Sequence, residues 1–265
     1  PGDHVFVDEP GNGNLIRLIQ LAGGTVIGIR RTQDGPDINE MESHLAQHSV
    51  KAFFCNSTFH NPTGGNISPH NAFKVLRLAV QHDFFVVEDD VYGDFSPAVR
   101  QTFAELDNIE RVIYIGSFSK CLSASLRVGY IACSQELIEP LTRLKMLTCV
   151  AVPAFCERFV NTILTDGTYA RHMKDVQQRL IKQQVLTQQL LLERGWQFDI
   201  TPQGGMFIWA YHTELPCLQP LMDKLEKEKV LLMQGSAFSV TRNYQNYARI
   251  NCAHFSEQLG HYFSI

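Results

Sequence analysis

Residues 84–95 read Phe84-Phe85-Val86-Val87-Glu88-Asp89-Asp90-Val91-Tyr92-Gly93-Asp94-Phe95, and this stretch decides the fold. The apolar run Phe84–Val87 is aromatic and β-branched and has the length of a strand. A strand without polar alternation is buried on both faces, as in parallel sheets covered by helices. Working outward, Val5–Asp8, Thr25–Ile29, Ala52–Cys55, Val112–Ile115 and Val128–Ala132 have the same character. Amphipathic stretches lie between them. Ser68-Pro69 marks one helix start, a capping hydroxyl followed by Pro at the first helical position. Phe73, Leu76 and Val80 then recur at helical spacing. Strands alternating with helices predict an α/β fold with a largely parallel sheet.

Beyond the sheet the pattern changes. Thr168 to Arg194 reads as one long polar helix, with Met173, Val176, Leu180 and Val185 on a stripe and Gly195 as its stop. Trp196–Ile265 holds short strands and one helix near Gln219–Glu228, the pattern of a smaller α+β domain. The expected division is 1–167, an interdomain helix over 168–195, and 196–265.

Composition excludes several classes. With 23 Lys+Arg against 27 Asp+Glu the chain carries a net charge of −4, which excludes nucleic-acid binding through bulk charge. Hydrophobic residues at 45% and charged residues at 19% are ordinary for a globular chain. No stretch approaches the roughly 18 uninterrupted apolar residues of a membrane-spanning helix. The cysteines number 7, an odd count with no C-x-x-C pair, and read as reduced, mostly core-packing thiols of a cytoplasmic protein. No signal peptide is visible, and the opening Pro1-Gly2-Asp3 without Met reads as that of a fragment. His44 and His48 have metal-ligand spacing but no third ligand nearby, so they read as a solvated helix face and no metal site is expected. Gly11-x-Gly13 lacks the rest of a dinucleotide fingerprint. The charges of Lys224–Lys229 read as a solvated helix face.

Four segments carry chemistry, and the three of them in the first domain stand at predicted strand ends, where open α/β sheets gather ligands. Asn61-Pro62-Thr63-Gly64-Gly65 is a tight turn that presents an amide. Glu88-Asp89-Asp90 places acids at the end of a buried strand, and one of them is expected to face a crevice, where an Asp would suit a cationic ring nitrogen. Gly116-Ser117-Phe118-Ser119-Lys120 with Leu126-Arg127 combines hydroxyls, an amine and a guanidinium, the makings of a phosphate cradle. Arg249, inside the apolar segment Tyr247–Ile250, requires an anionic partner, either a structural ion pair or a substrate carboxylate.

In this order the segments resemble the class I/II aminotransferases, pyridoxal-phosphate (PLP) enzymes of the aspartate-aminotransferase fold. The likeness extends to Thr201-Pro202-Gln203-Gly204-Gly205-Met206-Phe207 and Gly235-Ser236-Ala237-Phe238 and spans nearly the whole chain. The nearer likeness is the MocR branch, the aminotransferase-like domain of GntR-family transcriptional regulators. It rests on residues 88–95 and on the spacing from Lys120 to Arg127. The resemblance implies a three-layer α/β/α PLP-dependent transferase large domain with a mostly parallel sheet, plus a small C-terminal α+β domain.

It also implies roles. Lys120 would condense with PLP and then act as the base at the substrate's α-carbon. Asp89 would pair with the pyridine nitrogen. Asn61 and Tyr92 would hydrogen-bond the ring's phenolic oxygen, with Tyr92 among the catalytic set. Ser117 and Arg127, and more weakly Ser119, would hold the phosphate. Arg249, with Asn61 beside it, would bind the substrate carboxylate. Asn12 stands where relatives usually carry an aromatic, Ala124-Ser125 where Pro-Gly is usual, and a phosphate-cupping turn would lie upstream of Pro1. The implied function is amino transfer between an amino acid and a 2-oxo acid, or the same chemistry used to sense a ligand in a MocR/GntR-type regulator. The alternative is a free-standing PLP-dependent aminotransferase or another PLP lyase. A homodimer is implied, with DNA bound only through an N-terminal winged helix outside these residues, and no membrane.

Overall fold

In the computed structural model, which describes residues 1–264, two sheets organise the chain. The larger contains β1 (His4–Glu9), β2 (Thr25–Thr32), β3 (Gly35–Pro36), β4 (Val50–Cys55), β5 (Phe85–Asp89), β6 (Val112–Ser117) and β7 (Gly129–Ala132), in the order β3-β2-β1-β4-β5-β6-β7. The five strands β2, β1, β4, β5 and β6 are parallel, and β3 and β7 are antiparallel edges. The smaller contains β8 (Trp196–Gln197), β9 (Phe207–His212), β10 (Met233–Gln234) and β11 (Tyr247–Asn251), in the order β10-β11-β9-β8. The helices are α1 (Gly13–Leu21), α2 (Ile38–Leu45), α3 (Pro69–His82), α4 (Phe103–Asp107), α5 (Gln135–Thr148), α6 (Ala154–Thr165), α7 (Thr168–Leu192), α8 (Gln219–Lys227) and α9 (Glu257–Gly260).

The mostly parallel α/β sheet anticipated from Phe84–Val87 is present, and each predicted strand coincides with an observed one. Side chains of β1 alternate as a doubly covered strand requires. Phe6 packs with Met41, Val75 and Phe103 beneath α2, α3 and α4, while Val5 and Val7 pack with Ile16 and Ile19 of α1 on the other face. Phe6, Phe53 and Phe84 are fully buried, each stabilising the fold by about 1.5–3 kcal/mol.

Ser68 caps α3 as its sequence predicts, its Oγ accepting from Asn71 N at 3.2 Å. The stripe assigned to that helix is rotated, however. Ala72, Val75, Leu76, Leu78 and Ala79 face the sheet, while Phe73 and Val80 face solvent. Similarly, α7 buries Met173 and Leu180, then Gln184, Thr187, Leu190 and Leu191, leaving Val185 outside. Apolar identity misled here because the buried face takes in polar and small positions such as Gln184, Thr187 and Ala72 along with the large apolar ones. Of the seven cysteines, all free, only Cys55, Cys121 and Cys252 are buried, fewer than expected. His44 and His48 are not a solvated pair on one helix. His48 lies beyond α2, and both rings are half-buried, stacked on each other at 6.3 Å.

Candidate active site

Strand order locates the site before any side chain is considered. From β1 the chain moves first to β2 on one side and later to β4 on the other, so the order reverses between β1 and β4. Crevices at the carboxyl ends of such a pair are where doubly wound sheets bind ligands. A pocket lies there, lined by Asp8 from β1, Asn56 just past β4, Asp89 at the end of β5, and Gly11, Asn12 and His60 from loops.

The three acids of 88–90 separate cleanly. Glu88 points to the helix layer and accepts from Phe103 N at 3.1 Å and Ala104 N at 3.0 Å, capping α4. Asp90 pairs with Arg100 Nη2 at 2.6 Å and accepts from Tyr114 Oη at 2.6 Å. Asp89 alone lines the pocket. Among the described residues its Oδ1 accepts from Val91 N, at 3.3 Å. Its pKa is raised, chiefly by burial and then by the Asp90 charge, against the Val91 amide, the Asn56 side chain and the Lys120 charge, which lower it.

The Asn61 amide meets the small sheet. Arg249 Nη1 donates to Asn61 Oδ1 at 2.9 Å. The guanidinium lies 4.3 Å from the Phe207 ring centroid and 4.8 Å from that of Phe238, an arrangement worth about 0.5–2 kcal/mol per ring. Among the described residues no carboxylate pairs with it, so the structural ion pair considered from the sequence is absent. Tyr92 is buried, with its ring edge-on to Phe207 and Asn61 close enough to act on its phenol. Burial, then the nearby Asp89 charge, push its phenol up to about 12, so it is a proton donor at neutral pH. Gly64 makes this meeting of sheets feasible. Its φ is +72°, and a Cβ there would stand 2.6 Å from the Phe207 carbonyl oxygen.

Ser117, Ser119, Lys120 and Arg127 share one loop. The β6–β7 pairing sets Ser117 opposite Gly129, and Phe118 N donates to Val128 O at 3.1 Å, closing the loop at its base. Ser119 N donates to Ser117 Oγ at 3.1 Å. Lys120 is exposed. Arg127 is also exposed, in the left-handed region at φ +53°, with Nη1 3.5 Å from Ala124 O. The structure thus joins Asn61 and Arg249 by a direct hydrogen bond and sets Tyr92 against Phe207, the ring that Arg249 covers, while the Lys120 charge acts on Asp89 without a direct bond. No hydrogen bond links Arg127 to Ser117 or Ser119 among the described residues. Asn12 caps α1, its Oδ1 accepting from Asn14 N at 3.1 Å, which an aromatic residue cannot do.

Sequence reading missed a buried polar group in the wall of the pocket. Asp8 Oδ2 lies 3.0 Å from Arg31 Nη1 and 3.4 Å from His60 Nε2. The only sequence signal was a charge within the β2 run, where the predicted strand was cut at Ile29, short of Arg30 and Arg31. Burial, then the Arg31 charge, depress the His60 pKa to about 4, so the ring is neutral at pH 7. The Asp8 carboxylate, paired with Arg31 and His60, stays below the usual range despite burial.

The sequence profile described as "Aminotransferase class I and II" matches residues 1–263. The chain belongs to the class I and II aminotransferase family. Its fold superposes on the kynurenine aminotransferase of Pyrococcus horikoshii, solved in complex with PMP, with a TM-score of 0.92 and 26% identity, covering 99% of this chain and 68% of that one. It is 27% identical over 264 residues to the 2-aminoadipate transaminase of Thermus thermophilus, covering 95% of this chain and 65% of the relative. It is also 26% identical over 260 residues to the uncharacterized HTH-type transcriptional regulator YdfD of Bacillus subtilis, covering 96% of this chain and 53% of the relative. The chain spans about half the length of the regulators it matches. Among the described residues no helix is long and apolar enough to cross a membrane.

Proposed function

We propose that this family member is a PLP-binding domain that recognises amino acids and moves an amino group between an amino acid and a 2-oxo acid. The observation that carries the reading is the isolation of Asp89. Of three neighbouring acids it alone is left without a cation or helix terminus, at the strand-reversal pocket and within reach of the Lys120 charge. The residues present suit the cofactor, since a half-buried carboxylate with one weak bond matches a cationic ring nitrogen. When bound, PLP supplies an aldehyde that condenses with amines and a ring that draws electron density from the substrate's α-carbon. Lys120 would hold the aldehyde carbon and move the proton at the α-carbon. Asp89 would keep the ring nitrogen protonated. Asn61 and Tyr92 would donate to the phenolic oxygen, Ser117, Ser119 and Arg127 would take the phosphate, and Arg249 would take the substrate carboxylate with a two-pronged pair.

A second reading is the effector domain of a longer MocR/GntR-type regulator, favoured by the half-length match to HTH-type proteins. There the same site senses a ligand, and DNA contact falls to a winged helix outside these residues. In both readings we assign residues 1–167 to the cofactor-binding domain, 168–195 to a connecting helix and 196–265 to the small domain, in a cytoplasmic protein. We also assign the apolar surface of Tyr130, Ile131, Leu144, Leu147 and Phe155, all exposed, to a second copy of the chain.

A visible spectrum of the purified protein with PLP, before and after a panel of amino acids and 2-oxoglutarate, tests the reading. A new absorbance band, fixed to the protein by borohydride and altered by amino acids, is expected. A spectrum equal to that of free PLP refutes it. Repeated glutamate formation separates the enzyme from a sensor that stops after one turnover.

A further inference from the structure

Asn56 follows β4 directly, between the ends of β1 and β5, and is buried. All four of its polar groups are engaged. Its Nδ2 donates to the Asp89 carbonyl oxygen at 2.7 Å, and its Oδ1 accepts from Asn61 N at 3.4 Å. Its own N donates to Asp8 Oδ2 at 3.3 Å, and its carbonyl oxygen accepts from Arg31 Nη1 at 3.0 Å. The side chain therefore spans the two residues that flank the proposed cofactor ring, while the main chain is pinned from behind.

We propose that Asn56 is a positioning residue that sets Asp89 and Asn61 in register with each other, with the buried Asp8–Arg31 pair as its anchor.

The chemistry requires an amide. The Asp89 carbonyl needs a donor and the Asn61 N–H needs an acceptor, and Asn supplies both from one planar group. An ionised Asp donates nothing, a Leu of similar volume pairs with neither, and a Ser is too short to span both. The anchor reaches the Asn61 turn from a second direction. His60 joins Asp8 to Thr63, its Nδ1 lying 2.9 Å from Thr63 Oγ1, and Gly65 N donates to that hydroxyl at 3.3 Å. Asp8 thus holds the turn through Asn56 at one end and through His60 at the other. The Arg31 guanidinium, with its side chain 0% exposed, neutralises the carboxylate without solvent. Breaking such a network leaves buried donors and acceptors unpaired, which costs more than the bonds themselves.

The hydrogen-bond role stands on the geometry alone, whereas its consequence for the cofactor rests on the PLP reading. The experiment keeps the two apart. Asn56→Leu and the milder Asn56→Ser are compared with the wild-type chain, first without cofactor by amide hydrogen exchange, then by visible absorbance titration with PLP. Exchange at Asn61 N and Val91 N is expected to quicken about tenfold in either variant that folds, while Phe53 and Val87 inside the sheet keep their protection. PLP affinity is expected to fall about tenfold, with a displaced absorbance band. Folded variants with wild-type exchange at both amides overturn the proposal, whatever their melting temperature. Faster exchange with an unchanged PLP titration overturns its bearing on the cofactor. A wild-type chain that takes up no PLP refutes the functional reading, and the exchange comparison then decides the role of Asn56 by itself.

Discussion

Helices α3 and α5 are each 14 residues long, and both carry apolar residues at helical spacing. The first buries five side chains against the sheet and the second buries none. The contrast extends to their neighbours. Strand β5 is buried along its centre, whereas β7 is exposed over Gly129, Tyr130 and Ile131. Around the pocket the chain fills its own core, although Asp8 Oδ1 and the Nε and Nη2 of Arg31 are buried without a hydrogen-bond partner among the described residues. Over residues 129–165 it presents Ile138, Leu144, Met146, Leu147, Val150 and Phe155 to solvent. Exposed apolar side chains grouped along one segment are what the proposed second copy would cover. The comparison teaches that the residues lining the pocket come from packed strand ends and loops, whereas residues 129–165 leave large apolar side chains uncovered.

Substitutions can break that comparison. The largest effect is expected from Lys120→Ala, with complete loss of the PLP absorbance band and of borohydride-stable attachment. A band that persists in the variant removes Lys120 from its role. Asp89→Asn is expected to retain PLP while slowing the reaction with amino acids by about 10²–10³-fold, and an unchanged single-turnover rate contradicts the assignment.

Next comes the acid response of the buried group in the pocket wall. The folded-state pKa of His60, about 4, lies below the ordinary imidazole value of 6.5. In that window the unfolded chain binds more protons, so stability is present above the unfolded value and is lost as pH falls towards 4. The loss is about 3 kcal/mol at its limit. Denaturant melts at pH 7 and pH 4.5 are expected to differ accordingly, and His60→Gln to flatten the difference. An equally steep decline in the variant assigns the response to other groups.

Arg249→Ala is expected to weaken amino-acid binding by about 10–100-fold through loss of charge-assisted bonds, leaving the PLP spectrum intact. Equal loss of both shows that Arg249 supports the cofactor instead. The smallest effect sharpens the comparison most. Leu147→Ala is expected to change chain stability by no more than about 0.5 kcal/mol, against about 2–5 kcal/mol for Leu78→Ala on the buried face of α3. Sedimentation should nevertheless show Leu147→Ala weakening self-association. Unchanged association would place the second copy elsewhere.

Legibility followed the range of the interaction. Ser68 as a helix cap was readable because its partner, Asn71, is three residues away. The box formed by Thr102 and Glu105 was equally local and went unread, for want of a strong apolar run after it. Phe73, Leu76 and Val80 were read as the helical repeat of α3, yet of these only Leu76 faces the sheet, beside Ala72, Val75, Leu78 and Ala79. That one of the three acids 88–90 faces a crevice was legible from their place at a strand end, and the family resemblance singled out Asp89. Its isolation was not legible, since Glu88 is drawn off by α4 and Asp90 by Arg100, fifteen and ten residues onward.

By itself the sequence determined the strands, their parallel habit and the residue types at their ends, because apolar runs and turn chemistry are local properties of the chain. Only the tertiary structure decided that Asn61 and Arg249, 188 residues apart, share a hydrogen bond. It alone revealed that Asp8, Arg31 and His60 form one buried group. The reason is physical. Strand order and sheet-to-sheet docking set which side chains meet, and both are fixed by the sum of many distant contacts rather than by any segment's own preference.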